Sequence, residues 1–238
     1  MHRVTFRNPA DAPNGDGLDI DSSCYVRVSD CLFDVGDDCL CLKSGTDADG
    51  RRVGRPTENV VVTNCLMRQG HGGVVMGSEI AGGIRNLVVS NCVFDGTDRG
   101  IRLKSRRGRG GTIEDLCFSN IIMRDVICAV VMNLYYACGI SDAEERARLG
   151  SRSPQPVDET TPSIRNVAIS GINAYDLRNT GAVLMGLPES PLTGISLSNC
   201  RFRLADGKPT GAPAMALDSP AEYDELIYSE NVTDLAID

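Results

Sequence analysis

A six-residue phrase that occurs seven times constrains this chain more than any other feature, because a repeat of this length scale dictates architecture before any single motif does. Strand-like copies ending in Ser/Thr-Asn/Asp-Cys run from Val26 to Cys31, Val60 to Cys65 and Leu87 to Cys92. Looser copies cover Leu116 to Ile121, Val167 to Ile172 and Ile195 to Cys200, and an earlier one, Val4 to Pro9, opens the chain. Twelve residues beyond Pro9, Cys31, Cys65, Cys92 and Ile121 stand Asp21, Lys43, Gly77, Lys104 and Asn133, each preceded by an apolar residue. In the next copy the comparable Met185-Gly186 falls one or two residues late. Two short strands at fixed separation within a variable period predict an all-β fold: a single-stranded right-handed parallel β-helix (a solenoid) of about seven coils, each strand stacked on its counterpart one coil away. The 25 Gly and few aromatics fit many short strands joined by turns.

The repeat makes residues 1–238 one β-helix domain. The segment 135–162 reads as an insertion on one coil, with C-terminal coils over 163–238. Within it, Ser141-Asp142-Ala143-Glu144 has the pattern of a capping box opening a short helix that Gly150 closes. Asp47-Ala48-Asp49-Gly50 lacks the remaining ligands of a calcium loop and reads as a surface turn. Cys31, Cys65, Cys92 and Cys200 share one repeat position with Pro9, Ile121 and Ile172, which predicts an interior site for small apolar groups. A disulfide framework is the rival account of the 10 Cys, and a zinc site is weaker, with no CxxC and two His. Asn64, Asn91, Asn120 and Asn199 are also in register and predict a hydrogen-bonded ladder.

Composition narrows the functional classes. A net charge of −8 argues against a general nucleic-acid binder, whose affinity rests on neutralising phosphates. The longest apolar stretch, Ile127 to Ile140, is interrupted by Asn133 and is shorter than the ~20 residues of a membrane span. The first residues, Met-His-Arg-Val-Thr-Phe-Arg, have no apolar core of a signal peptide. A cytoplasmic location follows if the N-terminus is genuine, and a periplasmic or secreted one if a leader is missing.

In a β-helix, equivalent positions on neighbouring coils lie about 4.8 Å apart, so register converts sequence offset into proximity. Counted from the repeat positions, Asp16, Asp37, Asp38, His71, Arg102 and Lys104 line one face across four successive coils. Such a cluster suits hydrolysis of a glycosidic bond, in which one carboxyl donates a proton to the leaving oxygen and another activates water. Crowding raises the pKa of one carboxyl and keeps it protonated. Adjacent Asp37 and Asp38 point apart in an extended segment, so a joint role requires a bend at Gly36. Arg102 and Lys104, at i and i+2, share a strand face from which to clamp a substrate carboxylate. Six cations between Arg99 and Arg109 predict a local positive patch for a polyanionic sugar on an otherwise acidic chain.

Asn14-Gly15-Asp16-Gly17, Gly36-Asp37-Asp38, Gly70-His71-Gly72 and Arg102-Leu103-Lys104 resemble, in order, the four signatures of the polygalacturonase family of glycoside hydrolases, family 28. The likeness is strong over residues 4 to 135 and looser beyond. It implies an inverting hydrolase of α-1,4-linked galacturonate in pectin, with no metal or other cofactor and an acidic polysaccharide or oligogalacturonide as partner. Asp37 is then the general acid, Asp16 and Asp38 position and deprotonate water, and His71 supports the site. Arg102 and Lys104 bind a galacturonate carboxylate, with Asn14 beside them on the substrate. Two departures stand out. The family usually has Thr in place of Gly15, which predicts a looser turn under Asp16. It also carries several coils before the Asn-Gly-Asp-Gly motif, so the chain reads as N-terminally truncated. Gly77-Ser78-Glu79 resembles members that trim chain ends. The rival functions are rhamnogalacturonan hydrolysis, a Ca²⁺-dependent pectate lyase, a non-catalytic polysaccharide-binding β-helix and an inactive fragment.

Overall fold

The computed structural model describes residues 1–238 and consists of two sheets in which every strand pairing is parallel. A seven-stranded sheet stacks Leu18–Asp21, Asp38–Lys43, Gly72–Met76, Arg99–Lys104, Cys128–Asn133, Thr180–Met185 and Ile227–Glu230, one strand per coil. An eleven-stranded sheet faces it, with Ile84–Asp95, Thr112–Arg124 and Ser163–Leu177 as its longest members. The fold is the expected right-handed parallel β-helix, the hand that parallel crossovers adopt. No helix is long and apolar enough to cross a membrane.

Register follows the repeat. Val60 pairs with Leu87, Leu87 with Leu116, Leu116 with Val167 and Val167 with Ile195, so the phrases stack as counted. Asp21 lies opposite Lys43, and Lys104 opposite Asn133. Side chains of like size therefore form internal columns. Phe33, Met67, Phe94 and Met123 make one, Leu42, Met76, Leu103, Met132 and Leu184 another, and all of these are fully buried. Each such residue contributes roughly 1.5–3 kcal/mol of burial free energy. Cys31, Cys65 and Cys92 are buried in one column, and all ten cysteines are free thiols.

The first copy is displaced. Thr5 pairs with Leu32, which puts Val4, not Pro9, beside Cys31. Pro9 is exposed in the turn toward the short sheet. That turn is longer than its counterparts by the same amount, which is why counting from Pro9 still reached Asp21. Further differences are local. Asp47–Val53 is a helix rather than a bare turn, ended by Gly54 at φ 61 with its N–H on the Gly50 carbonyl. The helix Ala143–Gly150 is capped by Asp142, whose carboxylate accepts from the Glu145 N–H at 2.8 Å, one residue later than the capping box implied. Gly150 is its last helical residue, and Ser151 follows as the cap.

The asparagine column bends the chain at each copy but forms one rung only of the expected ladder, because Gly171 interrupts it before Asn199 and Asn64 does not bond to Asn91. Asn64, Asn91, Asn120 and Asn199 all take φ between 50 and 56, the left-handed conformation Asn tolerates best among non-glycine residues. They thereby bend the long sheet. The Asn120 amide also donates to Asn91 at 2.7 Å. A second bend repeats the arrangement, with Asn86 donating to Asn59 and Asn166 to Asp115.

Candidate active site

All seven residues singled out from the sequence, Asn14, Asp16, Asp37, Asp38, His71, Arg102 and Lys104, line one cleft of about 700 Å³ on the outer side of the short sheet. Asp16 sits at the end of the turn before Leu18–Asp21. That turn is firmly held despite Gly15. The Gly15 carbonyl accepts from both Gly36 and Asp37 N–H, its own N–H reaches the Ala12 carbonyl, and the Asn8 amide donates to the Asp16 carbonyl at 2.7 Å. A Cβ at Gly15 would stand 3.0 Å from the Ala12 Cβ, so the position is closely packed, not loose. Asn14 lies at the rim in the left-handed conformation, φ 51.

The bend at Gly36 and Asp37 is present, and it turns Asp37 and Asp38 toward the same cleft. Oxygens of Asp16, Asp37 and Asp38 lie within 4.8 Å of one another. Each is balanced differently. Asp38 is buried, accepting from the Arg102 guanidinium at 3.2 Å and the Lys104 ammonium at 2.7 Å. Asp37 pairs with His71 Nδ1 at 3.1 Å. Gly70, at φ 91, lets the chain pass so close to the Asp37 carbonyl that a Cβ would come within 2.3 Å of it, which places the His71 N–H on that carbonyl. For Asp16 the only cation within ion-pair distance is Lys43, at 3.9 Å, and Lys43 is itself held by Asp19 at 2.6 Å.

These surroundings divide the protons. Burial, followed by the charges of Asp19, Asp37 and Asp38, pushes the Asp16 carboxyl up to about 6. The His71 hydrogen bond lowers Asp37 below the usual carboxylate range, and the same bond raises His71. Burial opposes the Lys104 charge, and Asp38 outweighs it, so the ammonium is held above its ordinary value.

Arg102 and Lys104 are only 2% and 7% exposed, alternate with core Ile101 and Leu103, and reach the cleft from beneath Asp38. The basic patch is thus not a surface patch: Arg99 and Arg107 are buried too, Arg99 donating to the Ala212 and Pro213 carbonyls and Arg107 to Glu189. Several cleft residues escaped the sequence reading. Tyr136 lies under both cations, 5.7 Å from the Arg102 guanidinium and 5.2 Å from the Lys104 ammonium. Met215 Sδ accepts from Arg102 at 3.2 Å, although it is more than a hundred residues away in the chain. Lys43 served only as a register landmark; its position in the column of Lys104 was the signal that it faces the same way.

Residues 1–146 match the family model described as glycosyl hydrolases family 28. A probable polygalacturonase of Vitis vinifera is 31% identical over 207 residues, which is 85% of this chain and 39% of that protein. An exo-poly-α-D-galacturonosidase of Dickeya chrysanthemi is 29% identical over 79% of this chain and 32% of its own length. Among solved structures, a hyperthermoactive exopolygalacturonase from Thermotoga maritima superposes with a TM-score of 0.66 at 31% identity, covering 80% of this chain and 41% of that one. The chain therefore spans well under half the length of these relatives. The matched motifs and the coil-by-coil register place it in one group: this chain belongs to family 28 of the glycosyl hydrolases.

Proposed function

We propose that the chain acts as one domain that hydrolyses α-1,4-linked galacturonate chains. The observation that carries this reading is the convergence of three carboxylates, each differently balanced, within 4.8 Å in one cleft. Asp37 delivers the proton to the leaving oxygen. In the free site it is ionised against His71, so His71 stores that proton and returns it to Asp37 as substrate displaces the pair. Asp16 and Asp38 hold and deprotonate the water. Lys and Arg each carry more donors than Asp38 uses, which leaves Arg102 and Lys104 able to bind a sugar carboxylate while they hold Asp38. Asn14 contacts the sugar at the rim. Ser78 and Glu79, with Arg109 on Glu79 at 3.0 Å, form one wall of the cleft and favour attack at a chain end, as the names of two relatives say of those proteins.

The assay is incubation with polygalacturonate, with and without chelator, scoring reducing ends and unsaturated product together. Chelator-insensitive reducing ends without ultraviolet-absorbing product support hydrolysis; an unsaturated product that needs Ca²⁺ assigns a lyase instead, and no product of either kind refutes the proposal. A second reading, retention through a covalent intermediate, is favoured by the spacing, since inverting pairs usually stand about 6.5–9.5 Å apart. Inversion is preferred because two carboxylates hold the water while the third protonates. Proton NMR of the first product decides between them: the anomer opposite to the substrate linkage marks inversion.

A further inference from the structure

The three carboxylates of the cleft do not share their cations evenly. Asp38 has two and Asp37 has an imidazole, whereas Asp16 has Lys43 alone, at 3.9 Å. Lys43 ends the strand Asp38–Lys43 one coil beyond Asp16 and stands in the same register column as Asp21, Gly77 and Lys104. Lys104 pairs with Asp38 from that column, and Lys43 approaches Asp16 from it, so one structural device serves two carboxylates. What differs is Asp19, on the strand that follows Asp16, which takes the Lys43 ammonium at 2.6 Å and draws it away.

We propose that Lys43, steered by Asp19, is a positioning residue for Asp16: its ammonium is the one cation that offsets the acidic neighbours and favours the carboxylate form of Asp16. The charged groups facing Asp16 are Asp19 from the strand that follows it and Asp37, Asp38 and Lys43 from the next coil, where the buried Cys41 thiol also lies within 4.8 Å. Three of the four are acidic. Only Lys43 opposes them, and its strength depends on how Asp19 shares it. Burial disfavours the Lys43 charge, but the Asp19 hydrogen bond and the nearby anionic groups hold the ammonium above its ordinary value, so it stays charged across the working range. Asp19 therefore acts twice, by its own negative charge and by drawing on the one cation, and both effects strengthen the Asp16 proton. Its removal and the removal of Lys43 have opposite consequences.

This inference rests on Asp16 activating water, and its test separates the two claims. The Asp16 carboxyl is followed by carbon-13 NMR in the free protein, assigned with Asp16→Asn, for the wild type, Lys43→Met, Lys43→Arg and Asp19→Asn. Lys43→Met is expected to move the Asp16 midpoint upward by roughly one pH unit, as loss of an adjacent opposite charge does. Asp19→Asn moves it downward, and Lys43→Arg restores it. The acid limb of kcat/KM on polygalacturonate moves with each midpoint. An unchanged midpoint in Lys43→Met, or equal directions in Lys43→Met and Asp19→Asn, overturns the proposal even if the wild type is active. A wild type without activity refutes the water-activating role of Asp16, and the NMR midpoints still decide the part played by Lys43. If Lys43→Met does not fold, Lys43→Gln takes its place, and an unchanged Asp16 midpoint in that variant overturns the proposal.

Discussion

Replacing Asp38 by Asn separates what the site needs for chemistry from what the fold needs for stability. The Asp38 side chain is 3% exposed and faces Arg102 at 3% and Lys104 at 8%. The amide is nearly isosteric but carries no charge, and it keeps one good acceptor where the carboxylate had two. One charge-assisted hydrogen bond, worth about 1.5–3 kcal/mol, is lost, and two largely buried cations remain without their counter-charge. Breaking a buried ion pair from one side costs about 3–5 kcal/mol, and the acceptor that Asn retains brings the expectation to about 3. In a chain of this size that lowers the melting temperature by roughly 6–12 °C. Asp37→Asn is the control. Its partner His71 is half exposed, so the pair contributes at most about 1 kcal/mol and the melting temperature falls by no more than a few degrees. Both variants lose turnover of polygalacturonate. Adding Lys104→Met to Asp38→Asn removes one unpaired cation and recovers part of the stability. Circular-dichroism melts at pH 7 with reducing-end assays on the same samples make the comparison. Equal melting temperatures for Asp37→Asn and Asp38→Asn would falsify the claim that Asp38 is a buried structural counter-ion.

The pH dependence of kcat/KM is expected to be bell-shaped. Asp16 must be ionised, so activity rises with pH through about 6, and the proton shared by His71 and Asp37 must be present, so activity falls again above the ordinary histidine value of about 6.5; a plateau extending to pH 9 contradicts this assignment. Stability carries the opposite sign at Asp16. Its folded pKa lies above the ordinary aspartate value of 3.8, so its protonated form stabilises the fold at low pH and that stability is lost as pH rises through 6. Asp16→Asn accordingly raises the melting temperature at pH 7.5, by the equivalent of at most about 3 kcal/mol, and leaves it unchanged at pH 4. At the bend of the long sheet, Asn120→Ala places an alanine at φ 54 and removes the rung to Asn91, costing about 1–2 kcal/mol in urea denaturation. Asn120→Gly relieves the backbone part, and equal losses for Ala and Gly would show that the conformation is not the cause.

What the sequence reveals and what it hides divide along the axis of the solenoid. Stacked parallel strands keep one register from coil to coil, so any property carried by a column is written at constant offset: the buried cysteines, the bending asparagines, and the meeting of Asp16, Asp37, Asp38 and His71. The offset is interpretable only where turns keep their length. The turn from Asn8 to Gly17 does not, and it sent Pro9 into a column that Val4 occupies. Contacts made across columns by loops have no such code. The segment carrying Ala212, Pro213 and Met215 folds back over Arg99 and Arg102 and supplies carbonyl and sulfur acceptors that nothing at constant offset announces. For that reason a run of cations that reads as an exposed basic patch becomes a buried framework: Arg99 and Arg107 hold loops in place, while Arg102 and Lys104 hold Asp38. The same distinction explains Lys43. Its column was visible, but its task at Asp16 depends on the distances to two acidic groups on the preceding coil, and those are set by the turn before Leu18.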